Sequence, residues 1–139
     1  MPSLALSELI GAAVTDNTGS QAGKVREVAL SPQENSSQIS SLVVKTRTGN
    51  RLVPMKAVSL IDNGVRVSTP ATEWSPMGAG EGLLLLERDL LDQQIIDVHG
   101  RKVVRVNDVH IHEESTNGSS VLKIGAVDVG PRGAVRRLL

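Results

Sequence analysis

The stretch Leu90–Ile111, LLDQQIIDVHGRKVVRVNDVHI, decides the fold of this chain. It begins with a short helical pattern and continues into an apolar strand. A turn follows at His99-Gly100, and the chain then returns in a second strand with alternating apolar positions. Glycine suits such a turn because it adopts positive φ without a steric penalty. The stretch therefore predicts a helical turn followed by a strand, a tight turn and a strand.

The same pattern occurs once earlier, in Leu9–Leu30. A shift of 81 residues, which carries Val14 onto Ile95, aligns the two stretches without a gap. The matched residues are apolar apart from one Asp and one Gly: Leu9 with Leu90, Val14 with Ile95, Asp16 with Asp97, Gly19 with Gly100, Val25 with Val106, Val28 with Val109 and Leu30 with Ile111. Such residues specify strand faces and a turn. Their preserved order indicates a duplicated unit.

The rest of the chain extends this into a mainly β protein with two small antiparallel β-barrel units. Residues 1–68 contain six short strand patterns separated by turn signals, which is typical of a small barrel or sandwich. Residues 69–82 are rich in Pro and Gly and are predicted to be a linker. Residues 83–139 form the second unit, which is incomplete because a hairpin matching Arg51–Val67 is missing. Its end, Ala134–Leu139, is predicted to start a short C-terminal helix.

Three local signals refine this prediction. Ser7 precedes a helical pattern and is expected to cap it. The apolar step from Val25 to Val28 is three residues instead of two, which predicts a β-bulge or a change of face. Asp16 and Asp97 each precede a turn, where an Asp side chain commonly accepts backbone N–H bonds.

Composition excludes several classes of function. Fifteen basic residues balance fifteen acidic ones, and Trp74 is the only aromatic residue, so neither a basic field nor stacking rings favour nucleic-acid binding. The chain has no cysteine, which excludes disulfides and thiolate chemistry. No apolar run approaches the roughly 20 residues that span a bilayer. We expect a cytoplasmic chain without a membrane segment.

One cluster has the residue types of a metal site. His110 and His112 alternate along a predicted strand, so their side chains share a face, and Glu113 and Glu114 follow. Imidazoles with a nearby carboxylate bind divalent transition metals. The competing interpretation, which carries more weight, is a polar solvated strand face. The matched residues of the first unit are Ala29 and Ser31, so an inherited metal site is not expected.

Two features are candidates for partner binding. The run Leu83, Leu84, Leu85 and Leu86 suits a strand that is buried on both faces or covered by a partner. Trp74 lies in the predicted linker, where it either fills the gap between the units or contacts a ligand, with the first favoured. No phosphate-binding glycine motif, nucleophile elbow or zinc-protease motif is present. We therefore expect neither an enzyme nor a cofactor.

The first unit resembles the PRC-barrel family, the small β-barrel of the photosynthetic reaction-centre H subunit and of the C-terminal part of the ribosome maturation factor RimM. The residues that carry the resemblance are Leu9-Ile10-Gly11, Val14, Asp16, Gly19, Gly23-Lys24-Val25, Val28, Leu42-Val43-Val44 and Arg51-Leu52-Val53-Pro54-Met55. The resemblance implies a tandem of PRC-like units. Because family members act mainly by holding protein partners, it also implies a docking module.

The second unit is similar to the segment that precedes the helical intracellular domain of MgtE-type proteins. The similarity lies in Leu84–Ile111 and in Gly125–Leu139. It implies the N-terminal region of a magnesium transport-related protein with downstream helical and CBS domains. The apolar end Leu138-Leu139 suggests a cut inside such a longer protein.

The expected function is a non-enzymatic protein-interaction or regulatory module. Its partner is another protein or the downstream helical and CBS domains, and a homodimer is a further expectation because the incomplete second unit has an uncovered edge. The first alternative is a metal-responsive sensor that uses His110, His112 and Glu113. The second is a RimM-like adaptor in ribosome assembly or RNA processing.

Overall fold

The structure is a computed structural model, and it describes residues 3–31, 37–61, 64–80, 82–91, 93–97, 102–116, 119–129 and 134–137. The turn predicted at His99-Gly100 lies outside these residues. A mainly β chain with antiparallel sheets and short helices is confirmed. The described strands, in chain order, are β1 (Ser3–Ala5), β2 (Ala13–Thr15), β3 (Gln21–Leu30), β4 (Ile39–Thr46), β5 (Gly49–Pro54), β6 (Val58–Ile61), β7 (Gly64–Val67), β8 (Ser75–Pro76), β9 (Leu84–Leu85), β10 (Gln94–Asp97), β11 (Lys102–Thr116), β12 (Ser119–Val129) and β13 (Ala134–Arg137).

The helical elements are all short. Two single α-helical turns, α1 (Leu6–Leu9) and α2 (Leu86–Asp89), follow β1 and β9 respectively. Three 3₁₀ turns span Met55–Ala57, Ala71–Glu73 and Met77–Gly80. An isolated helix of one turn is unstable in water. Tertiary contacts must therefore hold α1 and α2 in place.

The strands form two sheets. The larger has the order β6-β7-β2-β3-β4-β5-β8, with β9 also paired to β3, and its only parallel pair among the described strands is β2 with β7. The smaller has the order β1-β11-β12-β13, with β10 also paired to β11. The helix predicted to start at Ala134 is wrong. Ala134–Arg137 instead pairs with Ala126–Val129, because the edge of β12 offers unpaired backbone groups to a following segment.

The two halves of the chain exchange their first strands. Strand β1, from the start of the chain, pairs with β11, and Leu4 lies opposite Ile111. Strand β9, from the start of the second half, pairs with β3, and Leu84 lies opposite Leu30. Because Leu30 and Ile111 are equivalent in the repeat, the two exchanged strands occupy equivalent places. Each half therefore completes the sheet of the other.

An acidic side chain from the opposite half binds each exchanged helical turn. Backbone N–H groups of Glu87 and Arg88 in α2 both donate to the Glu27 carboxylate at 2.8 Å. The backbone N–H of Ser7 in α1 donates to Asp108 at 3.1 Å, and its hydroxyl donates to the same carboxylate. The expectation that Ser7 caps α1 is wrong. The N-cap is Ala5, and Ser7 lies inside the turn, where its N–H and hydroxyl donate to Asp108.

The predicted bulge is confirmed, and it explains the position of these acids. The β3–β4 register shifts between Val25 and Glu27. The β11–β12 register shifts at the equivalent place, between Val106 and Asp108. Each acid also accepts the N–H of the residue that follows it, at 3.0 Å for Glu27 and 2.8 Å for Asp108. A bulge re-aims a side chain, and here it directs both acids at the exchanged turns.

One hydrophobic core serves both halves. The exchanged turns insert Leu6, Leu9 and Leu86, each at most 1% exposed, into a cluster that joins residues of both sheets. Burial of a leucine side chain stabilises a fold by about 1.5–3 kcal/mol. These contacts, together with the acidic acceptors, hold α1 and α2 in place.

Candidate protein-interaction surface

The two equivalent hairpins, β2–β3 and β10–β11, differ in what covers them. In the first half β7 pairs along the outer edge of β2, with Val14 opposite Val65. In the second half β10 pairs only with β11 within the part of the chain that the structure describes. Val103, in the uncovered hairpin, is 65% exposed. An unpaired edge with an exposed apolar residue is a site for strand pairing with another chain.

The other side of each hairpin differs as well. A Cβ atom added to Gly23 would lie 2.2 Å from the carbonyl oxygen of Lys45, so β4 approaches β3 closely there. The equivalent residue of the second half is Val104, and the β11–β12 ladder begins only at Val106. A valine has no room at such a close approach. Among the described residues, the β12 ladder therefore does not extend along β11 as far as Val104.

The four leucines predicted to bind a partner do not form one surface. Leu86 is fully buried in the core, and Leu83 and Leu85 are partly buried. Leu84 is 38% exposed and lies in β9, where it pairs with β3 of the same chain. The main role of the run in this structure is therefore to join the two halves. Leu83, Leu84 and Leu85 still keep some accessible surface.

Trp74, the other predicted partner residue, is only 7% exposed and belongs to the core. Its indole Nε1 donates to the hydroxyl of Thr69 at 3.2 Å. It follows the 3₁₀ turn Ala71–Glu73, whose start is tied to Asp16 by a bond from the Ala71 N–H at 3.0 Å. Trp74 offers almost no surface to a ligand in this structure.

Asp16 organises the first turn, as predicted. Its carboxylate accepts the backbone N–H and the hydroxyl of Thr18 and also the Ala71 N–H. These bonds, of which the Thr18 hydroxyl is the strongest influence, hold the pKa of Asp16 below its ordinary value. The side chain of its repeat equivalent, Asp97, lies outside the described residues.

The predicted metal ligands are only partly brought together. His112 Nε2 lies 3.1 Å from Glu114 Oε2, and Glu114 also reaches Lys123 Nζ at 3.6 Å. His110 and Glu113 are half-buried on the same strand. Within the described ranges, no group of three or more histidine and carboxylate side chains has an arrangement that could hold a metal ion. The pair His112–Glu114 is thus a surface contact next to a lysine.

Comparison with protein-family models matches residues 1–73 to the PRC-barrel domain. The match covers more than half of the chain, so this chain belongs to the PRC-barrel domain family. The family points in general to a non-catalytic interaction module. Comparison with curated proteins finds no match. Among the described residues no helix is long and apolar enough to cross a membrane.

Proposed function

We propose that this chain is a non-catalytic protein-interaction module whose second half contacts the partner. The observation that carries the proposal is the contrast between the two hairpins. Strand β7 covers β2, whereas β10 has no second neighbour in the described part of the chain. Burial of Val103, which is 65% exposed, would add apolar contact to backbone pairing at the same place.

Val103→Lys tests this proposal against a matched variant, Ser59→Lys. Both residues are exposed and both lie on strands at or next to a sheet edge, but Ser59 lies on β6, the edge strand of the larger sheet, and does not belong to the β10–β11 hairpin. Chemical crosslinking in the native cell followed by mass spectrometry is expected to recover the same partners with the wild type and Ser59→Lys, and to lose them with Val103→Lys. Identical recovery with both variants, or recovery of nothing above background with the wild type, would contradict the proposal.

A narrower version of this function places the chain beside helical and CBS domains of an MgtE-type, magnesium transport-related protein. It is supported by the resemblance of Leu84–Ile111 and Gly125–Leu139 to the segment before such domains. The partner surface would then be covered within one polypeptide. The mass of the native protein, detected with an antibody against this chain, tests whether those domains are attached.

The second candidate is a metal-responsive sensor, and the observation in its favour is the contact between His112 and Glu114. Two ligands bind a metal weakly, and the nearby Lys123 competes for the carboxylate. A sensor of this kind would melt at a higher temperature with zinc or nickel, and His112→Ala would remove the rise. The balanced charge and the single aromatic residue weigh against a RimM-like role on RNA.

A further inference from the structure

The occupant of the open β10 edge can be inferred from the first half, because the two hairpins begin in the same register and diverge only after Val14, where β2–β3 shifts by one residue and β10–β11 does not. Val14 pairs with Gly23, and Ile95 pairs with Val104, which is the same pairing 81 residues later. The anchoring bonds also agree. Val25 donates to the Ala12 carbonyl at 2.9 Å, and Val106 donates to the Gln93 carbonyl at 3.0 Å.

The first half shows what binds at this edge. Strand β7 runs parallel to β2, with Val14 opposite Val65 and Thr15 opposite Arg66. Val65 and Val67 are fully buried, while Arg66 between them is exposed. The occupant therefore alternates apolar and polar residues, with the apolar residues facing the core.

Gly64, the first residue of that occupant, is required by a close backbone approach. A Cβ atom on Gly64 would lie 2.4 Å from the carbonyl oxygen of Ala13. The carbonyl of Ala13 thus points at the incoming strand. In the second half the residue equivalent to Ala13 is Gln94. An occupant in the same register would also need a glycine at the residue that approaches the Gln94 carbonyl.

The backbone of β10 is oriented for such pairing. The Gln93 carbonyl accepts a bond from β11, so it points inward. Backbone groups of a strand alternate in direction, and the N–H and C=O of Gln94 and Ile96 therefore point to the open side. The side chain of Gln94 is exposed.

We propose that the open edge of β10 binds an extended segment of a partner protein by parallel strand addition, and that the segment has the pattern Gly–apolar–polar–apolar found in Gly64–Val67. The inference rests on the proposed function and names the chemistry of the partner. A second copy of the chain is a poorer occupant. Its own Gly64–Val67 already covers β2. If this strand moved to the β10 edge of another copy, the β2 edge that it left would become uncovered, so no edge would be gained.

A synthetic peptide of residues 57–69, AVSLIDNGVRVST, is the probe for this site. Titrated into the isotope-labelled full chain, it is expected to shift the amide signals of Gln94–Asp97 saturably and to slow their hydrogen exchange. The amides of β2, which are already covered, are expected to stay unchanged. A control peptide carrying Gly64→Val introduces the side chain that the close approach forbids, and it is expected not to bind.

Gln94→Pro removes an outward N–H at the start of the strand, where a proline is tolerated, and Gln94→Ala keeps that N–H. The proline variant is expected to bind the peptide at least roughly tenfold more weakly and the alanine variant to bind it normally. Unchanged amide signals in the first half would show that the proline variant is folded. If it is not folded, the comparison of the two peptides still decides the question.

Three results would overturn the inference. They are no response of β10 to the peptide at millimolar concentration, an equal response to the control peptide, and protection of the outward Gln94 and Ile96 amides in the free chain. If that last protection grows with protein concentration, a second copy is the occupant. If partners are lost with Val103→Lys but kept with Gln94→Pro, the proposed interaction function is supported and strand addition at β10 is contradicted. Partners kept with both variants would remove the proposed function as well.

Discussion

Both halves of the chain pair an equivalent short strand with a longer one, β2 with β3 and β10 with β11, yet among the described strands only β2 has a further strand along its outer edge. In the first half Gly64–Val67 covers β2, and β4 reaches the tip of the hairpin at Gly23. In the second half Val104 replaces that glycine, and the described part of the chain places no strand beside β10. The halves share the features that join them, namely the exchanged strand, the helical turn and the acidic side chain that binds it. What differs is the edge, which is where a partner can be gained without loss of the fold.

The largest effects are expected where the halves are joined. Leu6→Ala and Leu86→Ala each remove a fully buried side chain from an equivalent exchanged turn. Each is expected to lower the free energy of unfolding by about 2–5 kcal/mol, measured by urea denaturation. Leu84→Ala, at a position that is 38% exposed, is the control and is expected to cost less. A cost for Leu86→Ala far below that of Leu6→Ala would show that the exchange is not reciprocal.

The two acidic acceptors provide a finer comparison. Glu27 is 5% exposed and accepts three backbone N–H bonds, whereas Asp108 accepts its bonds in a more exposed setting. Loss of a buried charged acceptor leaves donors unpaired, so Glu27→Ala is expected to cost about 2–3 kcal/mol and Asp108→Ala about 1 kcal/mol. Urea denaturation of both variants measures the difference. If both variants lowered the free energy of unfolding equally, the greater burial of Glu27 would not strengthen its contribution.

Gly64→Ala is expected to make the first half resemble the second. The residue has a φ of +149° and its Cβ would collide with the Ala13 carbonyl. The cost is expected to be about 1–3 kcal/mol, with faster hydrogen exchange of β2 amides as the edge opens. Gly82→Ala also carries a positive φ, +83°, but its Cβ meets open space. Unchanged β2 exchange in Gly64→Ala alongside an equal cost in both variants would contradict this account of the edge.

The smallest effect depends on pH and concerns the first turn. Since the pKa of Asp16 is lowered in the folded chain, its ionised form adds stability above the unfolded-state pKa of about 3.9 and loses it as pH falls through the folded-state value. Asp16→Asn is therefore expected to lower the melting temperature at pH 7 and to differ less from the wild type below about pH 4. Asp97→Asn is the matched variant in the second half. A melting-temperature difference for Asp16→Asn that is constant with pH would contradict the assignment.

Local features of this fold were predictable because they are encoded by neighbouring residues. The three-residue step from Val25 to Val28 predicted the bulge, and Asp16 predicted a turn held by backbone N–H groups. Each of these interactions spans only a few residues, so the sequence pattern carries the information directly.

The partners of each element were less predictable, because they depend on residues far along the chain. Nothing near Ser3–Ala5 indicates that it pairs with β11, and Ser7 is bonded to a carboxylate 101 residues away. Ala134–Arg137 has a helical pattern but forms a strand, since the edge of β12 decides its conformation. The alignment of Glu27 with Asp108, two acids at equivalent places, was the one sequence signal of the reciprocal contacts.

The candidate site shows the same limit. The sequence indicated an incomplete second unit with an uncovered edge. The sequence did not indicate that Val103 is exposed, because its exposure depends on how far the neighbouring strands extend along the hairpin. The leucine run and Trp74 looked like contact residues because they are apolar, yet much of that apolar surface is buried within the chain.

The exchange of first strands also has a consequence for synthesis on the ribosome. Ser3–Ala5 and Leu6–Leu9 are made early, but the strand and the carboxylate that hold them are made about 100 residues later. The edge of β3 that receives β9 stays uncovered until β9 leaves the exit tunnel, and β1 and α1 wait longer, until β11 has followed. Contacts between such distant residues fold slowly and leave apolar surface exposed in the meantime. The first half therefore reaches its final packing only after the second half has been made.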